Sequence, residues 1–210
     1  IAERDSLSEV PHQLHEHPHP HRHGGVGERL HALDHVLADE GVRDVGGVVA
    51  VLHLDEDFHN SIHLLEKERG FRDYFKNKNT FHFEITEYSF MPNEPDFETR
   101  LDVLLNDPQL RGIFVSTSKG TSVVASYLEK KGKQHIRLIG YDIIDENLKY
   151  LRKGTIDFLI NQNPKRQAFL AISHLANYLV FKKEAPVSDL FPLEVITQQN
   201  VDSYLNSVIH

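Results

Sequence analysis

The sequence GIFVSTSKGTSVVASYLEKKGKQHIRLIGYD, residues 112–142, holds two short apolar runs on either side of a longer amphipathic stretch. Gly112–Ser116 and Ile136–Tyr141 are typical of buried strands, because they are short, apolar and rich in branched and aromatic residues. Thr121–Lys131 has helical spacing and ends at Gly132, a residue that favours a helix C-terminus. This unit predicts two parallel strands joined by a crossover helix.

The same alternation continues along the rest of the chain. The other predicted strands are Gly46–Leu54, Phe81–Tyr88, Ile156–Ile160 and Leu190–Ile196, and the other predicted helices are Val26–Glu40, Ser61–Lys76 with an interruption near Gly70, Phe97–Leu105, Glu146–Arg152 and Pro164–Phe181. The pattern predicts an α/β fold with a doubly wound parallel sheet. Ligands of such sheets bind beyond the carboxyl ends of the strands, so the exits to inspect are Thr117–Lys119, Asp142 and Asn161–Gln162.

Composition excludes several kinds of function. The chain has no cysteine, which rules out disulfides and thiol chemistry and fits a reducing cytoplasm. Its formal net charge of -8 makes the chain itself a poor nucleic-acid binder, because phosphate contact needs clustered Lys and Arg. The longest nearly apolar run, Val45–Leu54, is too short to span a bilayer, and no signal-peptide pattern follows Ile1. We therefore expect a cytoplasmic protein without a membrane partner.

Residues 1–57 differ in composition from the rest. Residues 2–57 contain no Phe, Tyr, Lys, Ile, Asn, Thr or Met, whereas all of these appear from Phe58 onward. Six of the missing types have A/T-rich codons, so we hypothesise that this segment has a different origin: a fusion, an artefact of cloning or a misread frame. The alternative is an ordinary polar segment that happens to lack these residues.

Within this segment, histidines occur at every second position. They are His15, His17, His19, His21 and His23, preceded by His12. Period two places alternate side chains on one face of an extended chain, so several imidazoles could share Zn²⁺ or Ni²⁺. The alternative is a solvated low-complexity loop, because a metal site also needs fixed geometry and supporting partners.

Four motifs, in order and spacing, resemble the effector-binding part of LacI–GalR transcriptional regulators. Ile113–Ala125 resembles their strand–turn–helix with Asn-Asp-x-x-Ala, and Ile136–Asp142 resembles their Val-Gly-Phe/Tyr-Asp strand end. Leu151–Pro164 resembles the segment that ends in Gln before the chain crosses to the other lobe. Lys67–Phe71 matches Arg-x-x-Gly-Phe with Lys in the Arg place. The resemblance covers about Phe58 to His210.

The resemblance implies a type I periplasmic-binding-protein-like fold, of which this chain contains mainly the C-terminal lobe. It divides the chain into the segment 1–57 with a helix and a strand, a C-terminal effector-binding lobe at 58–162, and a return helix and strand of the other lobe plus a tail at 163–210. It implies an effector-sensing domain, with a sugar or related small molecule bound between two lobes and coupled to DNA binding. The family dimerises through the C-terminal lobe and binds operator DNA through a helix-turn-helix headpiece that this chain lacks.

Two other function classes are relevant to this sequence. A solute-binding protein of a sugar transporter shares the fold and is the alternative to the sensor. An enzyme is not expected, because the sequence has no Gly-x-Ser-x-Gly elbow, cysteine nucleophile, Rossmann fingerprint or paired-carboxylate motif. No cofactor is expected either.

Two residues are the leading candidates for effector contact. By resemblance, Asp142 accepts hydrogen bonds from ligand hydroxyls, and a carboxylate with both oxygens free suits vicinal diols. The alternative is that Asp142 caps the next helix. Gln162 can donate to and accept from a hydroxyl, and its alternative is a polar hinge residue at the crossover between lobes.

Three further candidates depart from the family pattern. Lys67 stands where the family has an Arg that grips sugar oxygens, and the alternative is a surface lysine, since Lys lacks the guanidinium fork. Thr117 and Ser118 replace the family's Asn-Asp, and their hydroxyls can still bind a ligand. With Lys119 and Gly120 they start a helix whose N–H groups could attract an anion, such as a phosphorylated sugar, or they form a plain helix N-cap.

Overall fold

A computed structural model describes residues 46–55, 61–76, 82–187 and 191–208. The strands are β1 (Gly46–Leu54), β2 (His82–Phe90), β3 (Leu110–Val115), β4 (Arg137–Tyr141), β5 (Phe158–Asn161) and β6 (Glu194–Thr197). The helices are α1 (Ile62–Lys76), α2 (Phe97–Leu105), α3 (Ser118–Lys131), α4 (Asp145–Lys153), α5 (Pro164–Phe181) and α6 (Val201–Val208). The predicted helix Val26–Glu40 and the histidine run lie outside the described residues.

One six-stranded sheet organises these elements. Its strand order is β2-β1-β3-β4-β5-β6. The first five strands are parallel to their neighbours, and only β6 pairs antiparallel, with β5. The predicted α/β fold is confirmed, with a doubly wound sheet that is parallel except for β6. Because parallel strands share a direction, the exits of β1, β3, β4 and β5 meet at one edge of the sheet, which we call the carboxyl edge.

Both faces of the sheet are buried, as the apolar strands predict. Along β1, alternate residues enter two different cores: Ala50 and Leu52 pack on one face, and Val49 and Val51 pack on the other. The first core includes residues of α2, α3, α4 and α6. The second is covered by α1, whose Phe71 stacks on Phe114 of β3 with ring centroids 4.4 Å apart. The sheet is therefore wound on both sides.

Helix α1 runs without the predicted interruption near Gly70. Leu64 before the glycine is buried, and Phe71 and Phe75 after it are buried in the second core. Packing along the whole helix outweighs the roughly 1 kcal/mol by which a helical glycine disfavours the helix relative to alanine.

The last part of the chain, in which a return helix and a strand of the other lobe are expected, adds a strand and a short helix to the described fold. Strand β6 is hydrogen-bonded to β5 along Phe158–Asn161, so it lies in the same sheet, and Ile196 enters the first core. The short helix α6, which was not predicted, adds Val201 to that core. An apolar strand fits any uncovered sheet edge, and its sequence does not say which one. The division of the chain into lobes stays a prediction.

Helix α5 has the predicted bounds but contains no buried residue. Its large apolar side chains remain more than half exposed; they are Phe169, Ile172, Leu175, Tyr178, Leu179, Val180 and Phe181. Monomeric proteins seldom leave so many apolar side chains together in water, so this face is a surface for packing. Within the described ranges, no helix combines the length and the apolarity needed to cross a membrane.

Candidate functional site

The carboxyl edge concentrates unusual backbone conformations. Among the described residues, four that are not glycine have φ in the left-handed region, and three of them follow strands at this edge. They are Asp55 (φ 60°), Asp142 (φ 61°) and Asn163 (φ 50°). Left-handed backbone is unfavourable for residues with a Cβ, and such conformations cluster at functional sites.

Asp142 lies at the centre of this edge with both carboxylate oxygens hydrogen-bonded. The Ser118 hydroxyl donates to Oδ2, and the Gln162 side-chain nitrogen lies 3.2 Å from each oxygen. Helix α4 begins after Ile144 without any side-chain cap, so Asp142 is not its capping residue. The fold thus brings Ser118, Asp142 and Gln162 together from the exits of three adjacent strands.

Thr117 occupies the N-cap position of α3 but is enclosed. Thr117 is 4% exposed, and its side chain makes no hydrogen bond that caps the helix. A Cβ built on Gly120 would lie 2.4 Å from Thr117 Oγ1 and 2.7 Å from Leu54 Cβ, so the hydroxyl is confined between α3 and β1. Ser118, which is half-buried, is the hydroxyl of this pair that bonds to Asp142.

Lys67 reaches from α1 to the same edge. Its Nζ donates to the Ser116 carbonyl over 3.0 Å and lies 4.0 Å from the centroid of the Tyr141 ring. Lys67 is half-buried and makes these two contacts, so it is not a simple surface lysine. Burial, and then the charge of Asp142, raise the pKa of the Tyr141 phenol, so this ring stays neutral beneath the ammonium group.

His53, to which the sequence assigned no role, lies directly beneath the edge. It is fully buried, and its Nδ1 lies 2.7 Å from the Ser116 hydroxyl. Burial lowers its pKa from 6.5 to about 4; Glu68 opposes this shift, whereas Lys67 and Arg72 add to it. The sequence signal is weak, since it consists of one histidine near the end of an apolar strand.

Asn147, in the first turn of α4, is a second residue that the sequence did not single out. It is fully buried, and its side-chain nitrogen lies within hydrogen-bonding distance of three carbonyls. These belong to Ser118 (2.9 Å), Tyr141 (2.9 Å) and Asp142 (3.0 Å). An Asn in the first turn of a helix looks like an ordinary polar residue, so the pattern gives no signal for this role.

One group of side chains has ligand types that bind metals. Atoms of His53, Glu68 and Glu87 lie within 4.8 Å of one another. However, the Arg72 guanidinium is ion-paired with Glu68 and lies 4.0 Å from Glu87. This arginine already offsets one of the two carboxylate charges and occupies Glu68, so we assign no metal site to this group.

Comparison with known families defines the class of protein. The family described as "Periplasmic binding protein domain" matches residues 34–183, and the chain belongs to it. This match begins before Phe58, so the compositional break does not coincide with its start. A search of curated proteins found no match.

Solved structures share the fold. A Bacteroides fragilis protein described as a LacI transcriptional regulator is 26% identical, with a TM-score of 0.70, and the match covers 85% of this chain and 61% of that one. GanP, a glucose-galactose binding protein from Geobacillus stearothermophilus, is 20% identical over 84% of this chain and 60% of its own, with a TM-score of 0.65. A carbohydrate transporter solute-binding protein from Agrobacterium radiobacter, in complex with D-arabinose, is 19% identical over 88% and 61%, also with a TM-score of 0.65. The chain therefore spans about 60% of the length of these structures.

Proposed function

We propose that the carboxyl edge binds a sugar, and that this chain supplies one wall of the binding cleft. The observation that carries the proposal is the convergence of Ser118, Asp142 and Gln162, three polar side chains from different strand exits. Open α/β sheets bind their ligands at this position. The D-arabinose complex among the similar structures and the glucose-galactose binding protein support a carbohydrate as the ligand class.

The chemistry of these side chains suits hydroxyl groups. An ionised carboxylate only accepts hydrogen bonds, so Asp142 would accept from two neighbouring sugar hydroxyls. Those hydroxyls would take over the bonds now made by Ser118 and Gln162. Gln162 could then donate to, or accept from, a further sugar oxygen, while Lys67 donates from the α1 side of the edge. Thr117 is enclosed, so we expect it to contribute less than Ser118.

The second wall of the cleft would come from another lobe. The apolar face of α5, which directly follows Gln162 and Asn163, is the surface on which that lobe would pack. The greater length of the similar structures supports this arrangement. Closure of two lobes would remove the sugar from water and strengthen the polar contacts of Asp142.

Two biological roles fit such a lobe. Delivery of a sugar to a membrane transporter is supported by the number of transporter solute-binding proteins among the similar structures. Effector sensing in a LacI-type regulator is supported by the Bacteroides fragilis protein, which has a higher identity and TM-score than GanP or the Agrobacterium protein. In that role the protein would dimerise, and DNA binding would need a headpiece outside this chain. Neither role requires chemistry on the sugar.

Sugar binding can be tested by titration calorimetry with a panel of pentoses and hexoses that includes D-arabinose, D-glucose and D-galactose. We expect at least one sugar to bind the native chain and Asp142→Ala to abolish that binding. Asp145→Ala removes an exposed carboxylate three residues away and serves as the matched control. Equal binding by Asp142→Ala and the native chain, or no binding of any sugar, would contradict the proposal.

The two roles separate in cells that make the natural protein. A transporter component would be recovered outside the inner membrane, whereas a regulator would co-purify with specific DNA. Recovery on DNA would reject the transporter role, and recovery outside the inner membrane would reject the regulator role.

A further inference from the structure

We propose that Asn147 is the residue that positions Asp142 and Ser118 for ligand contact, an inference that rests on the proposed sugar site. Asn147 is itself fully buried in the first turn of α4 and is not placed to touch the ligand. Its side chain instead contacts the backbone of the two elements that carry the site.

The first part of the argument concerns the backbone of Asp142. The carbonyls of Tyr141 and Asp142 belong to the two peptide planes that flank the Asp142 Cα, and both lie within 3.0 Å of the Asn147 side-chain nitrogen. The orientations of these two planes define φ and ψ of Asp142. Asn147 therefore holds Asp142 in the left-handed conformation (φ 61°) that an aspartate rarely adopts.

The second part concerns the donor that faces Asp142. The same nitrogen lies 2.9 Å from the Ser118 carbonyl at the start of α3. Ser118 is the residue whose hydroxyl donates to the Asp142 carboxylate. One buried amide group thus fixes both the acceptor and its neighbouring hydroxyl, from two strand exits that are 24 residues apart.

The third part concerns the unfavourable free energy of an unsatisfied buried acceptor on Asn147. Among the described residues, Asn147 Oδ1 is buried and has no hydrogen-bond partner. Leaving such an acceptor unsatisfied is unfavourable, and residues kept in this state call for an explanation beyond packing. The positioning of Asp142 provides one, because an apolar side chain of similar size could not donate hydrogen bonds to these carbonyls.

The test is Asn147→Asp, which keeps the size of the side chain but replaces the donor by a carboxylate that repels the carbonyls. We expect the affinity for the sugar that binds the native chain to fall about tenfold, equal to about 1.4 kcal/mol. Thr155→Val is the control: Thr155 is also buried and loses a 2.7 Å bond to Glu129, but it precedes β5 at the opposite edge. We expect this control to bind the sugar like the native chain.

A second readout does not depend on the sugar. The Asp142 amide donates to the Ile160 carbonyl over 3.0 Å, so its hydrogen exchange reports the local backbone. We expect faster exchange of this amide in Asn147→Asp and unchanged exchange in Thr155→Val. If Asn147→Asp does not fold, Asn147→Ser, whose hydroxyl is too short to reach three carbonyls, takes its place.

These outcomes separate the two proposals. If the native chain binds no sugar, the proposed function fails, and the exchange experiment still decides whether Asn147 holds Asp142. If the native chain binds a sugar, affinity in Asn147→Asp within twofold of native, or an equal loss in Thr155→Val, would overturn the positioning role.

Discussion

Acid should destabilise this protein through His53, a buried histidine beneath the candidate site. His53 is fully buried and its pKa lies at about 4, mainly because burial disfavours the imidazolium form. In the unfolded chain the same side chain has its ordinary pKa of 6.5. Between these two values the unfolded state binds a proton that the folded state does not, so stability rises with pH in this range.

The size of the effect follows from the pKa difference. Each pKa unit corresponds to about 1.36 kcal/mol, so a fall from 6.5 to about 4 corresponds to about 3 kcal/mol of unfolding free energy. This contribution is fully present above about pH 6.5 and is lost as the pH falls through about 4. Between about pH 7.5 and about pH 4.5, the loss due to His53 is about 2.5 kcal/mol.

The effect can be measured by urea unfolding at these two pH values, monitored by circular dichroism, in the native chain and in two histidine variants. We expect the drop in unfolding free energy to be smaller in His53→Asn than in the native chain by about 2.5 kcal/mol. The asparagine keeps a polar group near the Ser116 hydroxyl but does not titrate. His135→Asn, at an exposed position, is the control for general histidine effects. Equal pH dependence in the native chain and His53→Asn would refute the reasoning.

Two further predictions concern packing. Gly140→Ala should lower the unfolding free energy in urea by about 1–3 kcal/mol, because its Cβ would lie 2.1 Å from Thr121 Cγ2. An unchanged unfolding free energy would show that α3 shifts to make room for the methyl group. On α5, Ile172→Gln and Leu175→Gln should each change the unfolding free energy by less than about 0.5 kcal/mol, and together they should reduce binding of a hydrophobic dye. Leu128→Ala in the core should destabilise by about 2–5 kcal/mol, and a loss of that size in either α5 variant would show that this face is already packed.

The compositional break near Phe58 and the fold give different boundaries. Strand β1 ends at Leu54, before the break, yet it pairs with both β2 and β3 and enters both cores. The family match also starts at residue 34. Whatever the origin of residues 1–57, at least Gly46–Leu54 is an integral part of this sheet.

Local pattern was sufficient to predict most elements and the location of the candidate site. Strand β1 and helices α2 and α5 have the predicted bounds, because apolar periodicity and flanking glycines or prolines are local signals for where an element begins and ends. Asp142 and Gln162 were candidates because they follow strands and match the LacI–GalR motifs, and the carboxyl ends of parallel strands converge whatever their order. Their role in binding a sugar remains a prediction.

Other features depended on contacts between distant parts of the chain. His53 and Ser116 are 63 residues apart, and Asn147 meets Ser118 across 29 residues. Which strands are neighbours decides these pairs, and a periodic pattern in one segment carries no information about its neighbours.

The sequence by itself determined the alternation of strands and helices, and with it the edge of the sheet at which polar side chains collect. Only the tertiary structure decided which of those side chains touch, which histidine is buried and which helix keeps its apolar face in water. The physical reason is that the periodicity of apolar residues is a property of the local chain, whereas burial, hydrogen-bond partners and pKa values arise from the whole set of neighbours that folding assembles.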